Sequence, residues 1–127
     1  MKIIDTSQLD YQPMYIRGTE ELLSSFSLLH ELLGLSSLHL SREILAPHHR
    51  ISSSHYHTHS EECFLVLKRE VVIVGNEGER TLNVGEIVAF LPEPNLFHYI
   101  RNDSGRDAEL LVINSPHAKD EVVYKVN

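Results

Sequence analysis

From residue 36 onward the apolar positions fall into short runs bounded by turn residues: 36–45, 53–58, 62–68, 70–75, 79–84, 86–91, 96–102, 107–114 and 120–125. Those are strand lengths. GNEGE at 75–79 has the composition of a hairpin tip, Gly85 in LNVGE punctuates a second turn, and NDSGRD at 102–107 is a third turn cluster. Many short strands at regular spacing predict an antiparallel sandwich or barrel. Upstream, Leu22, Phe26, Leu29 and Leu33 recur at helical spacing, with Thr19 placed to cap the start and Gly34 to follow the last turn, so a short helix is predicted across 19–34. Residues 1–18, punctuated by Pro13 and Gly18, read as an irregular arm that contributes at most one edge strand.

A length of 127 residues suits a single domain with one core, and neither a repeat nor a low-complexity linker divides the chain. The expected organisation is an arm over about 1–34 and a β-barrel over about 35–127. With 42% apolar and 23% charged residues, the composition is that of a globular protein. Eleven basic residues against 18 acidic ones give a formal charge of −7, which disfavours tracking along nucleic-acid phosphates. The opening MKIIDTSQLD has no apolar signal region and no run approaches membrane-span length, so the expectation is a cytoplasmic protein without a membrane partner. Cys63, the single cysteine, has no intramolecular disulfide partner and reads as a small apolar residue.

Five of the nine histidines fall between residues 48 and 59. In a strand, His55 and His57 share a face, roughly 6.5–7 Å apart along the chain, close enough to lean onto one cation. A turn at Thr58–Glu61 would let Glu62 open the next strand on the same face as Phe64 and Val66. His98 in LFHYIRN is the candidate for a third imidazole from a distant strand. Spacing alone also fits a solvated strand edge. Opposite Glu62, the positions Cys63, Leu65 and Leu67 are apolar as well, so both faces of this strand need cover. The N-terminal segment or a second subunit would supply it, and a homodimer is expected.

These residues also carry a family resemblance. A histidine pair, four residues, a glutamate and a six-residue run match the first motif of the cupin superfamily as His55, Tyr56, His57, Thr58 to Glu61, Glu62 and CFLVLK, with Arg69 where that motif closes on glycine. Gly85, Pro92, His98 and Asn102 stand at the positions of the second motif, with Asn95 where glycine is usual. The chain therefore resembles the cupins from about Gly34 onward. The resemblance implies an all-β, double-stranded β-helix (jelly-roll barrel). It also implies one divalent metal held by His55, His57, Glu62 and His98, with coordination positions left open. Mixed nitrogen and oxygen ligands suit Mn, Fe, Ni, Cu or Zn.

His59 falls where the turn begins and reads as a group behind the ligands or on the surface, Glu61 as a possible partner for a ligating imidazole, and His48 and His49 as turn residues. Phe64, Val66, Phe90 and Ile100 are candidate pocket walls, whereas Tyr56 and Tyr99 alternate away from the ligands. No charged residue other than Glu62 is expected to project inward. The functional expectation is an enzyme acting on a small polar or anionic substrate at the metal, in the dioxygenase, decarboxylase or isomerase range. The alternatives are a non-catalytic metal or small-molecule binding module, and a metal-free sugar-nucleotide isomerase using a histidine base.

Overall fold

A computed structural model of the chain describes residues 1–126; Asn127, included in the expected domain, lies outside the described residues. Eleven strands form two antiparallel sheets. The six-stranded sheet runs in the order β1 (Gln12–Tyr15), β2 (Leu22–Leu28), β3 (His39–Leu45), β10 (Ala108–Asn114), β5 (Glu62–Lys68) and β8 (Ile87–Phe90). The five-stranded sheet runs β11 (Val122–Tyr124), β4 (His55–His57), β9 (His98–Arg101), β6 (Val71–Gly75) and β7 (Gly78–Leu82). This is the expected double-stranded β-helix. Among the described residues, no helix is long and apolar enough to cross a membrane.

Alternation along the strands builds the core between the sheets. Leu45, Phe64, Val66, Phe90, Ala108, Leu110 and Val112 from one sheet meet Val71, Leu82 and Ile100 from the other, all buried. Residues two apart share a face, so Phe64 and Val66 enter this core while Cys63 and Leu65 turn outward. A second device locks the corner between the sheets. The side chain of Asn102 is fully buried; its Nδ2 donates to the carbonyls of Leu45 and Arg106, each at 2.8 Å, and its Oδ1 accepts from the Ser104 amide at 2.9 Å. Backbone bonds from His48 N to Asn102 O and from Asn102 N to His49 O finish the clasp.

The helix expected across 19–34 is largely a strand. Residues Leu22–Leu28 pair with β3, and only Leu29–Leu33 (α1) is helical, closed by Gly34 in the left-handed region at φ 72°. The helical spacing of Leu22, Phe26 and Leu29, four and then three residues apart, is outweighed by LLSSFSL itself, whose three serines are weak helix formers, and by the free edge of β3, whose backbone groups β2 satisfies. Thr19 does cap a turn, its Oγ1 accepting from the Glu21 amide at 3.1 Å, but that turn leads into β2. The arm therefore widens the sheet, and β1 is the edge strand expected from residues 1–18. Because β10 and β3 separate β2 from β5, the strand of the 19–34 segment does not cover the outward face of Cys63, Leu65 and Leu67.

Both departures from the glycine pattern fall on left-handed backbone: Arg69, in the turn from β5 to β6, has φ 60°, and Asn95 has φ 66°. Asparagine tolerates that region, whereas arginine is strained there. Arg69 is exposed. Arg69→Gly is accordingly expected to stabilise the fold by about 1 kcal/mol, as measured by urea denaturation.

Candidate metal centre

His55 and His98 face each other across the register of β4 and β9, which places their ring centroids 4.8 Å apart. His57 lies two residues along β4 with its centroid 5.1 Å from that of His55, at a steep interplanar angle of 77°. Glu62 opens β5 in the opposite sheet and reaches across, its Oε1 3.9 Å from Nε2 of both His57 and His98. The ligand atoms of His55, Glu62 and His98 all lie within 4.8 Å of one another. His57 stands at the margin of that triad, tied to it through Glu62. Two atoms each about 2.1 Å from one ion can be at most about 4.2 Å apart, so the separations from Glu62 already satisfy the bound, and modest side-chain rotation closes the rest.

Each imidazole is held so that Nε2 points inward. His55 Nδ1 donates to the Ser53 carbonyl at 2.8 Å, with Ser52 Oγ at 3.1 Å; His98 Nδ1 donates to the Leu96 carbonyl at 3.0 Å; His57 Nδ1 donates to Asp120 Oδ2 at 2.8 Å. An N–H committed at Nδ1 leaves the lone pair on Nε2, the form in which histidine binds a metal. Glu62 Oε1 and His98 Nε2 are buried with no hydrogen-bond partner. At 3.9 Å they do not bond each other. Buried polar atoms left unpaired are costly, and a cation between them would satisfy both. The residues present thus fit the group that the resemblance implies. Burial also lowers the pKa of His55; the Ser53 carbonyl works against that shift and nearby His98 adds to it, so the net effect favours the neutral ligand form.

Two side chains that matter here escaped the sequence reading. The first is Asp120, in the turn before β11. It accepts from His57 through one oxygen, and from the His59 and Ser60 amides at 2.8 and 2.9 Å through the other. Burial alone would raise its pKa, but those hydrogen bonds outweigh it and hold the carboxyl well below the usual carboxylate range. Asp120 takes the role proposed for Glu61, which is exposed and bonds to Ser115 through its backbone. Only the pairing of β11 with β4 brings residue 120 beside residue 57, and no local pattern signals it.

The second is Glu43, which overturns the expectation that Glu62 is the sole charged residue facing inward. Glu43 sits on β3 two residues before the buried Leu45, and it lines the same cavity as the three histidines and Glu62. Its oxygens accept from Ser24 Oγ at 2.5 Å and Ser41 Oγ at 3.1 Å. Burial pushes its pKa up despite those two hydrogen bonds, and the neighbouring charge of Glu62 pushes the same way. The alternation Ser41, Glu43, Leu45 in SREIL carried this signal, since Leu45 belongs to the core.

The remaining candidates sort by position. His59 is exposed and stacks on His117 at 4.6 Å, outside the centre. His48 is exposed, and His49 ties its turn to β2 by a 2.6 Å hydrogen bond between Nδ1 and the Leu22 carbonyl. Of the expected walls, Phe64 and Ile100 line the cavity, Val66 lies in the core, and Phe90 stacks flat on the His98 ring at 3.7 Å. Tyr99 alternates with the buried His98 and Ile100 and lies on the outward face with Arg101, as expected, touching only the cavity's edge.

A half-buried glutamate whose folded pKa is raised gives its full stabilisation below the unfolded value, about 4.5, and loses it as pH rises through the folded value. The melting temperature should therefore fall from mildly acidic to neutral pH in part because Glu43 ionises. Glu43→Gln should flatten that limb in thermal melts across the range and leave the variant the more stable protein on its neutral side.

Comparison with known proteins agrees with this architecture. The Cupin_2 cupin-domain family matches residues 41–114, more than half of the chain. No curated protein matches. Among solved structures, a sugar phosphate isomerase from a cupin superfamily of Silicibacter pomeroyi superposes with a TM-score of 0.88 at 21% identity, covering 98% of this chain and 82% of that one. The polyketide cyclase RemF from Streptomyces resistomycificus gives 0.82 at 16% identity, covering 100% and 87%. A predicted oxalate decarboxylase from Thermotoga maritima gives 0.73 at 19%, covering 91% and 99%. At such identities these three share the fold, and their different activities do not select one for this chain. The matched segment runs from Ser41 within β3 to the end of β10 and contains His55, His57, Glu62 and His98, and the chain belongs to the cupin family.

Proposed function

We propose that His55, His57, Glu62 and His98 hold one divalent metal from the series Mn, Fe, Ni, Cu or Zn, and that the protein is a metal-dependent enzyme acting on a small polar or anionic substrate. The observation that carries this reading is the convergence of two buried, unpartnered atoms, Glu62 Oε1 and His98 Nε2, on His55. When bound, a metal with open positions supplies Lewis acidity toward a substrate oxygen. The chain's own residues do the rest. Asp120 and the Ser53 and Leu96 carbonyls orient the imidazoles, and the apolar walls exclude water. Glu43 offers a carboxyl able to hold or release a proton beside the ligands, within the dioxygenase, decarboxylase or isomerase range of chemistry.

That carboxyl favours an enzyme over a binding module, which would have no use for a buried acid whose ionisation destabilises the fold. The unpartnered Glu62 oxygen counts against a metal-free site with a histidine base, where a carboxylate bonded to nothing would be a pure cost. We further propose a homodimer through the outward face of the six-stranded sheet. Cys63, Leu65, Ile87, Ala89, Leu111 and Ile113 lie on cross-strand neighbours and make one contiguous apolar row there.

Zinc or manganese at about 100-fold over its dissociation constant should stabilise the fold by about 2.7 kcal/mol. His57→Ala should remove that stabilisation in thermal melts and His117→Ala should keep it; a chain that purifies without metal and melts unchanged on metal addition would refute the centre. Sedimentation is expected to give twice the chain mass, and Leu65→Asp should return it to the monomer.

A further inference from the structure

The cavity beside the centre encloses about 260 Å³. Its polar lining consists of the ligand side chains, Glu43 with Ser24, Ser52 and Tyr124. Neither lysine nor arginine is among the lining residues. The other walls are Met14, Leu23, Ile51, Phe64, Ile100 and Val122, drawn from both sheets. Arg50 and Lys125 border a neighbouring groove that shares Tyr99, and Arg50 is engaged there by Glu21 through hydrogen bonds of 2.8 and 3.2 Å.

A phosphate carried into this space would meet two carboxyl groups and no cationic side chain. Burying a charge without a partner is strongly unfavourable. The metal's attraction falls off with distance and is already offset in part by Glu62, so a phosphate ester chelating through its hydroxyketone would place its dianion where no side-chain cation meets it. An apolar body, by contrast, gains from contact with six apolar walls. Glu43, held toward its neutral form by burial, is suited to donate a hydrogen bond to a neutral oxygen.

We propose that this cavity receives an uncharged small molecule, offering one or two oxygens to the metal and an apolar body to the walls, and that it rejects phosphorylated ligands. The inference rests on the metal reading given above and narrows its substrate from polar or anionic to uncharged.

Two probes separate the possibilities. 2-Hydroxyacetophenone and dihydroxyacetone phosphate share an α-hydroxyketone that can chelate a metal, and differ in carrying a phenyl ring or a phosphate. Isothermal titration of the zinc-loaded protein, with zinc content measured in every sample, should show the aromatic ketone bound at least about ten-fold more tightly. Val122→Trp, at a position 41% exposed on the three-residue β11, should fill the cavity and remove that binding while zinc stays stoichiometric. Equal or tighter binding of the phosphate ester, binding of neither probe, or undiminished affinity in the Val122→Trp variant would overturn the inference with the metal centre intact. A protein that takes up no zinc defeats the metal reading itself, and elemental analysis identifies that case before any titration.

Discussion

The site depends on strand alternation operating in two facing sheets at once. His55 and His57 share a face because they are two residues apart on β4, and His98 meets them because it lies opposite His55 in the register with β9. Glu62 arrives from the other sheet, where the same rule sends Phe64 and Val66 into the core behind it. A slip of one residue in either β4 or β5 would turn the ligands outward and expose the core together. Burial of Phe64 and Val66 thus fixes where Glu62 points. The packing that stabilises the barrel and the geometry that gathers the ligands come from one constraint.

Around that constraint the polar groups form a closed chain of dependence. The imidazoles need fixed N–H partners, and they take them from backbone carbonyls at Ser53 and Leu96 and from the carboxylate of Asp120. Asp120 in turn is anchored by the amides of His59 and Ser60, in the turn that carries the chain from β4 to β5. One carboxylate therefore orients a ligand and shapes the loop between two ligands. Glu43 differs in kind: its oxygens accept from Ser24 and Ser41, and its raised pKa beside the cavity makes sense as chemistry rather than as stabilisation.

Much of this was legible in the sequence because it is local. The strands from His39 onward followed from period-two runs and turn residues, and the four candidate ligands were named from spacing joined to a family pattern. Even the departures were informative: Asn95 and Arg69 occupy the positive-φ positions where glycine is usual. What could not be read locally depends on partners far apart in the chain. Residues Leu22–Leu28 became a strand because β3 offered an edge, which outweighed an apparent helical period. Asp120 reaches His57 only through the β11–β4 pairing, 63 residues away. Glu43 is the exception, since its parity with Leu45 placed it inside and the alternation in SREIL was not followed through.

One wall of the cavity is β11, which supplies Val122 and Tyr124 and bonds to the rest of the sheet along β4 alone. It is three residues long and lies at the edge of its sheet, whereas His98 and Glu62 stand on strands paired on both sides. Val122 and Tyr124, 41% and 58% exposed, already meet solvent at that margin, so the side chains of β11 shape the mouth of the cavity while the core between the sheets stays closed.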